Sequence, residues 1–411
     1  MPISKIKQAS IDASALTGSN ITDGTIAAAD LATDAVTTAK IADGGITTAK
    51  IAADAITTAK IADTVNLGRR NLIINGAMQV AQRNTSSSGV GASSGYFTCD
   101  RWEIETGNSA GRFSMAQNSD SPDGFNNSLS LACSTADTSI ASNEYLRLQQ
   151  VIEAQNLQNL AKGTSSAKQF TLSFYVKGNA AATYGIEIYD LDNTRHICTT
   201  FNVTTSWNRI SVTFDGDTTG AINDDNGGGF QVGIWLHAGS DYNGGTLSTS
   251  WASVTNANRT SSSNTSFYDS TSRTFFITGV QLEAGSGATP FEHHSFAEEL
   301  ALCERYFYQT YQYGTVAGTA TRTSCLGRYV DGAANYSSVQ IPNIRMRAGP
   351  TATIYSTNTT NASGKLRIDT GDINGVVADN GSNGGGFVYA NNVAVANQYG
   401  LRCHIVLDAE L

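Results

Sequence analysis

Charge is scarce in this chain: Asp, Glu, Lys and Arg make up 15% of 411 residues, and the balance is a net −9. No basic stripe interrupts that acidic background, which argues against a nucleic-acid partner. No apolar run approaches the ~20 residues of a membrane span, and the opening MPISKIKQAS lacks the apolar core of a signal peptide, so folding in a cytosol without membrane insertion is expected. The six cysteines (Cys99, Cys133, Cys198, Cys303, Cys325, Cys403) form no C-x-x-C pair and are expected to be free, buried thiols. There is no G-x-S-x-G elbow, P-loop, G-x-G-x-x-G after a strand, or H-E-x-x-H. What the chain has in quantity is Gly (40), with Ser, Thr and Asn, against only 5 Pro. That mix suits turn-rich β structure, since Gly and Asn tolerate positive φ and Thr fits a pleated surface. With 15 Phe, 16 Tyr and 4 Trp, large burying groups are present and the chain is not disordered.

The most informative stretch is residues 6–61, where a bulky aliphatic recurs every fifth position: Ile6, Ile11, Leu16, Ile21, Ile26, Leu31, Val36, Ile41, Ile46, Ile51, Ile56, Ile61. On an α-helix five residues advance by ~500°, so these side chains would form no stripe. On a flat strand an odd spacing throws alternate residues to opposite faces. The chain must therefore turn repeatedly, or several chains must wind together. One copy has little else to bury, and an intertwined threefold shaft supplies a shared axial core. A monomeric coil with Ala29, Ala39, Ala49 and Ala59 in its inner corners, and a flexible linker, are the alternatives.

At about residue 66 the pattern changes to period-two alternation. Strands are predicted around Phe170/Leu172/Phe174/Val176, Tyr184/Ile186/Ile188, Ile210/Val212/Phe214, Phe230/Val232/Ile234/Leu236 and Phe276/Thr278/Val280/Leu282, bounded by turn clusters. One-sided strands need a covering sheet, so residues 67–294 are expected to form a jelly-roll β-sandwich, with a short helix near Gln155–Ala161. Ser295 to Glu298 carries a capping box. It predicts a linking helix over 295–309 with Phe296, Leu300, Cys303 and Phe307 on one face. Residues 310–411 alternate again (Ile354/Tyr355; Phe387/Val388/Tyr389; Cys403/Ile405/Leu407) and are expected to be a small β-rich tip. The fold class is thus all-β: repetitive shaft (1–66), sandwich, short helix, tip.

Candidate chemistry is sparse. His293-His294 adjoin in sequence, and strand neighbours point apart, so loop or cap packing is expected. Asp190 and Asp192 share one side of a strand and Asp224-Asp225 a turn; both pairs are expected to form turns rather than to cleave glycosidic bonds. The loop Asn223-Asp224-Asp225-Asn226-Gly227 offers hard oxygens for a structural Ca²⁺ but lacks EF-hand spacing, and no other cofactor is indicated. Of Trp102, Trp207, Trp235 and Trp251, two are candidate glycan contacts. Trp235 is out of phase with Phe230, Val232, Ile234 and Leu236 and should point off that strand's core face. Trp251 lies in a Ser/Thr-rich loop. Packing in a core or interface is the competing reading for each.

Residues 71–308 resemble marine bacteriophage tail-fibre and appendage proteins with a carbohydrate-binding-module-like jelly roll, through NLIINGAMQVAQR, DRW at 100–102, LRLQQVIEAQNLQNLAKG, FTLSFYVKGN, GVQLEAGSGATPFEHHSF and EELALCERYF. The ITTAKIAD repeat is similar to the shafts of such proteins, and the closing DAEL to fibre tips. The resemblance implies a non-enzymatic homotrimeric virion protein, joined to other virion proteins through its N-terminus and exposed on the virion surface after assembly in host cytoplasm. Host-surface glycan is the implied partner. A capsid decoration or head-vertex fibre without sugar affinity is the alternative. A capsule depolymerase would need a long β-helix, and no coil repeat continues past residue 61.

The shaft reading predicts a mass three times that of the 43.3 kDa chain by light scattering. The expected core is Ile26, Leu31, Val36, Ile41, Ile46, Ile51, Ile56 and Ile61. Replacing Ile46 and Ile56 by Asp removes aliphatics worth ~1.5–3 kcal/mol each, taken three times over by symmetry, and should loosen the assembly. A stable wild-type monomer would overturn this.

Overall fold

Alternation of apolar and polar residues drives the chain into sheets whose apolar faces must meet. The computed structural model describes residues 27–32, 35–37, 41, 46 and 69–411, apart from 331–336, 369–370, 379–385 and 391–398. The chain divides into two units, Met1–Val65 and Asn66–Leu411. In the first, Asp30 N–H donates to the Ala27 carbonyl and Ala35 N–H to that of Ala32, two turns set five residues apart. Leu31, Val36, Ile41 and Ile46 are 47%, 56%, 42% and 57% exposed in the single chain. Ile26, Ile51, Ile56 and Ile61 lie outside the described residues.

The second unit opens with thirteen strands. They are β1 (Ser86–Val90), β2 (Gly95–Tyr96), β3 (Glu103–Gly107), β4 (Arg112–Asn118), β5 (Ser128–Thr135), β6 (Tyr145–Glu153), β7 (Phe170–Gly178), β8 (Ala182–Asp190), β9 (Arg195–Val203), β10 (Asn208–Phe214), β11 (Gly228–Ala238), β12 (Ala252–Ser253) and β13 (Thr274–Ala284). All pair antiparallel in two sheets, ordered β1-β4-β5-β13-β7-β10 and β12-β9-β8-β11-β6-β3-β2. Leu172, Phe174 and Val176 of the first sheet and Ile186, Ile188, Val232 and Ile234 of the second share one buried core, closing the jelly-roll-type sandwich that the alternation predicts. The expected short helix is a 3-10 turn over Ala154–Leu160, and a one-turn helix α1 spans Ser240–Asn243.

The phase predicted for β13 holds only in its second half. Phe275 and Ile277 are buried before Gly279, and Val280 and Leu282 after it, while Phe276 lies on the other face beside Trp207. A bulge between Thr278 and Gln281, with Gly279 at φ 62°, shifts the register by one and reverses the facing. Ahead of β1, Asn71–Arg83 is stapled to the sandwich. Leu72 N–H donates to Leu282 O (2.9 Å), and a side chain at Gly76 would strike the Val280 carbonyl.

The linking helix is shorter than predicted: α2 covers Phe296–Glu304, with Ser295 and Glu298 forming the reciprocal capping box. Phe296 is exposed rather than inward, and Phe307 belongs to a strand. The cause is a stronger demand on residues 307–309, which pair as β14 (Phe307–Gln309) with the end of the chain. Beyond it come β15 (Leu326–Val330), β16 (Ser337–Ile341), β17 (Thr351–Tyr355), β18 (Lys365–Ile368), β19 (Gly371–Asn374), β20 (Val376–Ala378), β21 (Gly386–Ala390) and β22 (Tyr399–Asp408). β22 is the hub, pairing with β14, β15, β17 and β18, and its Leu401, Cys403, Ile405 and Leu407 fill a second core. The six cysteines are unpaired, five of them buried.

The residues after β22 run back to the sandwich. Glu410 pairs with the buried Arg101 and, at 3.2 Å, with Arg83, and Tyr96 Oη donates to Leu411 O at 3.1 Å. Arg101 also lies over the Tyr306 ring at 3.5 Å and donates to Val151 O at 2.6 Å. Replacing Glu410 by Ala strands a buried guanidinium and should cost about 3–5 kcal/mol. Denaturant unfolding reads it as a lowered midpoint at unchanged slope. A shift within about 0.5 kcal/mol, the range of a surface substitution, would show that the pair does not hold the two cores together.

Candidate functional site

Residues out of phase with the core decorate the outer face of the seven-stranded sheet. They are Glu103 and Glu105 on β3, Arg147, Gln149 and Val151 on β6, Glu187 and Tyr189 on β8, His196 and Cys198 on β9, and Gln231 and Trp235 on β11. Gly185 faces Trp235 across the register and has no side chain because Thr260 of the covering loop comes too close: an added Cβ would lie 2.2 Å from its hydroxyl.

At the centre of this face sits the fully buried Glu187. It accepts from Arg259 Nε (2.9 Å) and Arg259 Nη2 (2.9 Å), Arg147 Nη1 (3.3 Å) and Trp235 Nε1 (3.0 Å), and lies 2.9 Å from His196 Nδ1. Burial alone would raise its carboxyl, but the His196 hydrogen bond and the charges of Arg259 and Arg147 outweigh it and hold the pKa at about 2. Glu187, His196 and Cys198 are the one trio of potential ligands to gather among the described residues. Two guanidiniums already flank the carboxylate and burial pushes the Cys198 thiol up, so a cation there would face like charge.

The two tryptophans singled out from the sequence do not offer free faces. Trp235 does point off the core, but it is 0% exposed: Arg147 and Arg259 stack over its ring at 4.9 and 5.1 Å, and Tyr145 and Tyr242 pack beside it. Trp251 is half-buried against Phe230 and Phe170, donating through Nε1 to Asp215 O at 2.7 Å. Strand phase places Trp235 on the outer face, and the loop carrying Arg259 and Thr260 covers it there. Asp190 caps a turn as expected, yet is buried and ion-paired with Lys162 at 2.5 Å, while Asp192 is engaged with Asn223. His294 sits 2.9 Å from Glu299 and His293 packs on Phe125 and Phe291. In the 223–227 loop, Asp225 accepts from Gly227 N–H and the Asn226 carbonyl from Arg347.

Beyond Arg147 the same face opens into a groove of about 420 Å³, lined by Glu103, Glu105, Gln149, Val151, Leu191 and Gln231. Arg147 also holds Glu105. Gln149 is 3% exposed; its Nε2 donates to Glu103 at 2.9 Å, while its Oε1 is buried without a partner. Burial raises the Glu103 carboxyl, the Gln149 bond lowers it, and the charge of Glu105 raises it further. Polar residues at the outward positions of LRLQQVIE, a segment without an aromatic, are the sequence signal for this groove.

Glu187 also sets an acid limit. Its folded pKa lies below the unfolded value of 4.5, so the stabilisation is present above pH 4.5 and is lost as pH falls toward about 2. Glu187→Gln should lower stability at neutral pH by on the order of 3 kcal/mol and flatten that acid limb. An unchanged limb in chemical melts across this window would overturn the assignment.

No protein-family model matches the chain, and no curated protein matches it. Among solved structures, a family 4 carbohydrate-binding module is 14% identical over 51% of this chain and 98% of that one, with a TM-score of 0.27. The TmCBM61 module in complex with β-1,4-galactotriose is 10% identical over 53% of this chain and 99% of that one, with a TM-score of 0.27. The enzymatically active domain of tailspike protein 4 from bacteriophage CBA120 is 12% identical over 52% of this chain and 21% of that one, also at 0.27.

Proposed function

We propose that this chain is a non-catalytic virion protein of a phage, a trimeric fibre or appendage on the particle surface that meets host glycan through the groove on its seven-stranded sheet. The observation that carries the binding reading is Gln149: a buried amide oxygen without a partner, at the wall of an open groove. Leaving such an acceptor unsatisfied costs about 1–3 kcal/mol, which a ligand hydroxyl would relieve. Gln231, whose side chain has no partner among the described residues, and Glu103 add further hydrogen-bonding groups. Val151 and Leu191 supply apolar surface beside them, a combination suited to a pyranose with its hydroxyl rim and C–H faces.

The way the carboxylates are used supports binding rather than cleavage. Glu103 and Glu105 rise from one strand on one wall, and Arg147 occupies Glu105. A hydrolase needs its two carboxyl groups to flank the scissile bond. The fibre part of the reading rests on the five-residue repeat and on the exposure of Leu31, Val36, Ile41 and Ile46, which a self-contained coil would have turned inward. Trimerisation would bury them, with the N-terminal segment meeting other virion proteins.

A glycan array probed with the full chain tests the reading. Gln149→Leu should weaken any bound glycan about tenfold, the worth of one good hydrogen bond, while stability falls by no more than the single bond that the amide gives Glu103. No signal from the wild type, or a loss tracking unfolding, would favour a fibre without sugar affinity.

A further inference from the structure

A second cavity lies where the sandwich meets the β22 core, about 590 Å³ in volume and lined by Asp225, Asn226, Arg305, Asn343, Arg345 and Arg347 among others. Three arginines on one cavity stand out in a chain of net charge −9. Their placement has a simple cause. Between Pro342 and Ala348 the alternate residues Ile344 and Met346 are drawn into the second core, leaving Asn343, Arg345 and Arg347 to the cavity. The walls are tied by a reciprocal pair: Arg347 Nη1 donates to Asn226 O (2.8 Å) and Asn226 Nδ2 to Arg347 O (2.5 Å).

The three guanidiniums differ in how they are neutralised. Arg305 is held by both oxygens of Glu153 at 2.7 Å. Arg347 donates only to carbonyl oxygens, those of Ala409, Asn226 and Glu410. Arg345 is exposed and makes no ion pair among the described residues. Two positive charges thus face the cavity without a carboxylate of their own. Asp225, Asn226 and Asn343 beside them offer the acceptors and donors that hydroxyl groups use.

From this cavity we propose a second binding site, separate from the sheet groove, for a saccharide that carries a carboxylate, a uronic acid residue of an acidic polysaccharide. The planar guanidinium of Arg345 grips the carboxylate with Arg347 behind it, a geometry that arginine forks favour. The amide and carboxylate side chains read the sugar hydroxyls.

The test is calorimetric titration of the full chain, wild type and Arg345→Gln, with tri-galacturonate, neutral trigalactose and inorganic phosphate. Among the described residues Arg345 makes no ion pair, so the variant should keep its melting temperature. Uptake by the sheet groove is common to both proteins, and their difference reports this cavity. Tri-galacturonate should bind the variant about tenfold more weakly than the wild type, as expected for one lost charge-assisted contact, with trigalactose unchanged and the difference shrinking at raised salt. Equal affinity of the two proteins for tri-galacturonate overturns the proposal, as does an equal loss for both sugars. Phosphate binding as tightly as tri-galacturonate, and equally dependent on Arg345, would overturn the saccharide assignment by showing a bare anion site.

Discussion

The pairing of buried guanidinium with buried carboxylate organises the larger unit of this chain. Burying either charge alone is prohibitive, and together they are tolerated only with good geometry and with their remaining hydrogen bonds filled. Glu187 with Arg147 and Arg259, Glu153 with Arg305, and Glu410 with Arg101 and Arg83 form such pairs, with Nε of Arg101 and of Arg147 left without a partner among the described residues. Each joins elements far apart in sequence. Glu153 ties β6 to the residue after α2 and also accepts from Tyr306 Oη at 2.5 Å. Glu410 ties the end of the second core to the first. With charged residues so few, these pairs mark where the sandwich, the helix and the β22 sheet dock as one unit.

The same pairing shapes the outer face of the sandwich. Glu187 draws Arg259 down from its loop, and with it the lid that covers Trp235. Arg147 is shared, one nitrogen toward Glu187 and another toward Glu105. Glu105 is thereby neutralised, while Glu103, one step along the strand, is left to Gln149. The face closes over its aromatic centre and opens at the β3–β6 end, where Gln149 Oε1 lacks a partner among the described residues. Closure and opening are two results of one distribution of charge.

Much of this was legible in the sequence, and the rest was hidden for identifiable reasons. Period-two runs at Phe170–Val176, Tyr184–Ile188 and Phe230–Leu236 gave both the strands and their facing, because a half-buried strand exposes its burial in its spelling. The phase of β13 failed at Gly279, where a bulge carries no signal that a count of two can register. The capping box located the start of α2. Its end was set by β22, ninety-odd residues further on, and local spacing cannot report a distant strand. Trp235 faces where its phase says it should, yet exposure depends on Arg259 and Thr260, which approach from another part of the chain. The groove is not legible in the sequence because glutamines on a strand look like ordinary solvent-facing residues, and the burial of Gln149 is set by its neighbours in the sheet.

Affinity and architecture then constrain each other. The groove is open, has no accessible tryptophan and offers a handful of hydrogen bonds, so a single copy should hold a saccharide only weakly. A single copy of the repeat likewise leaves Leu31, Val36, Ile41 and Ile46 in water. In the proposed trimer the repeat would bury those residues and link three grooves in one assembly. Linked sites bind a repetitive surface at a high effective concentration and raise avidity by orders of magnitude without new contacts. If the groove binds saccharide as proposed, the repeat would make weak single-site binding sufficient, since a polysaccharide presents the same residue many times over.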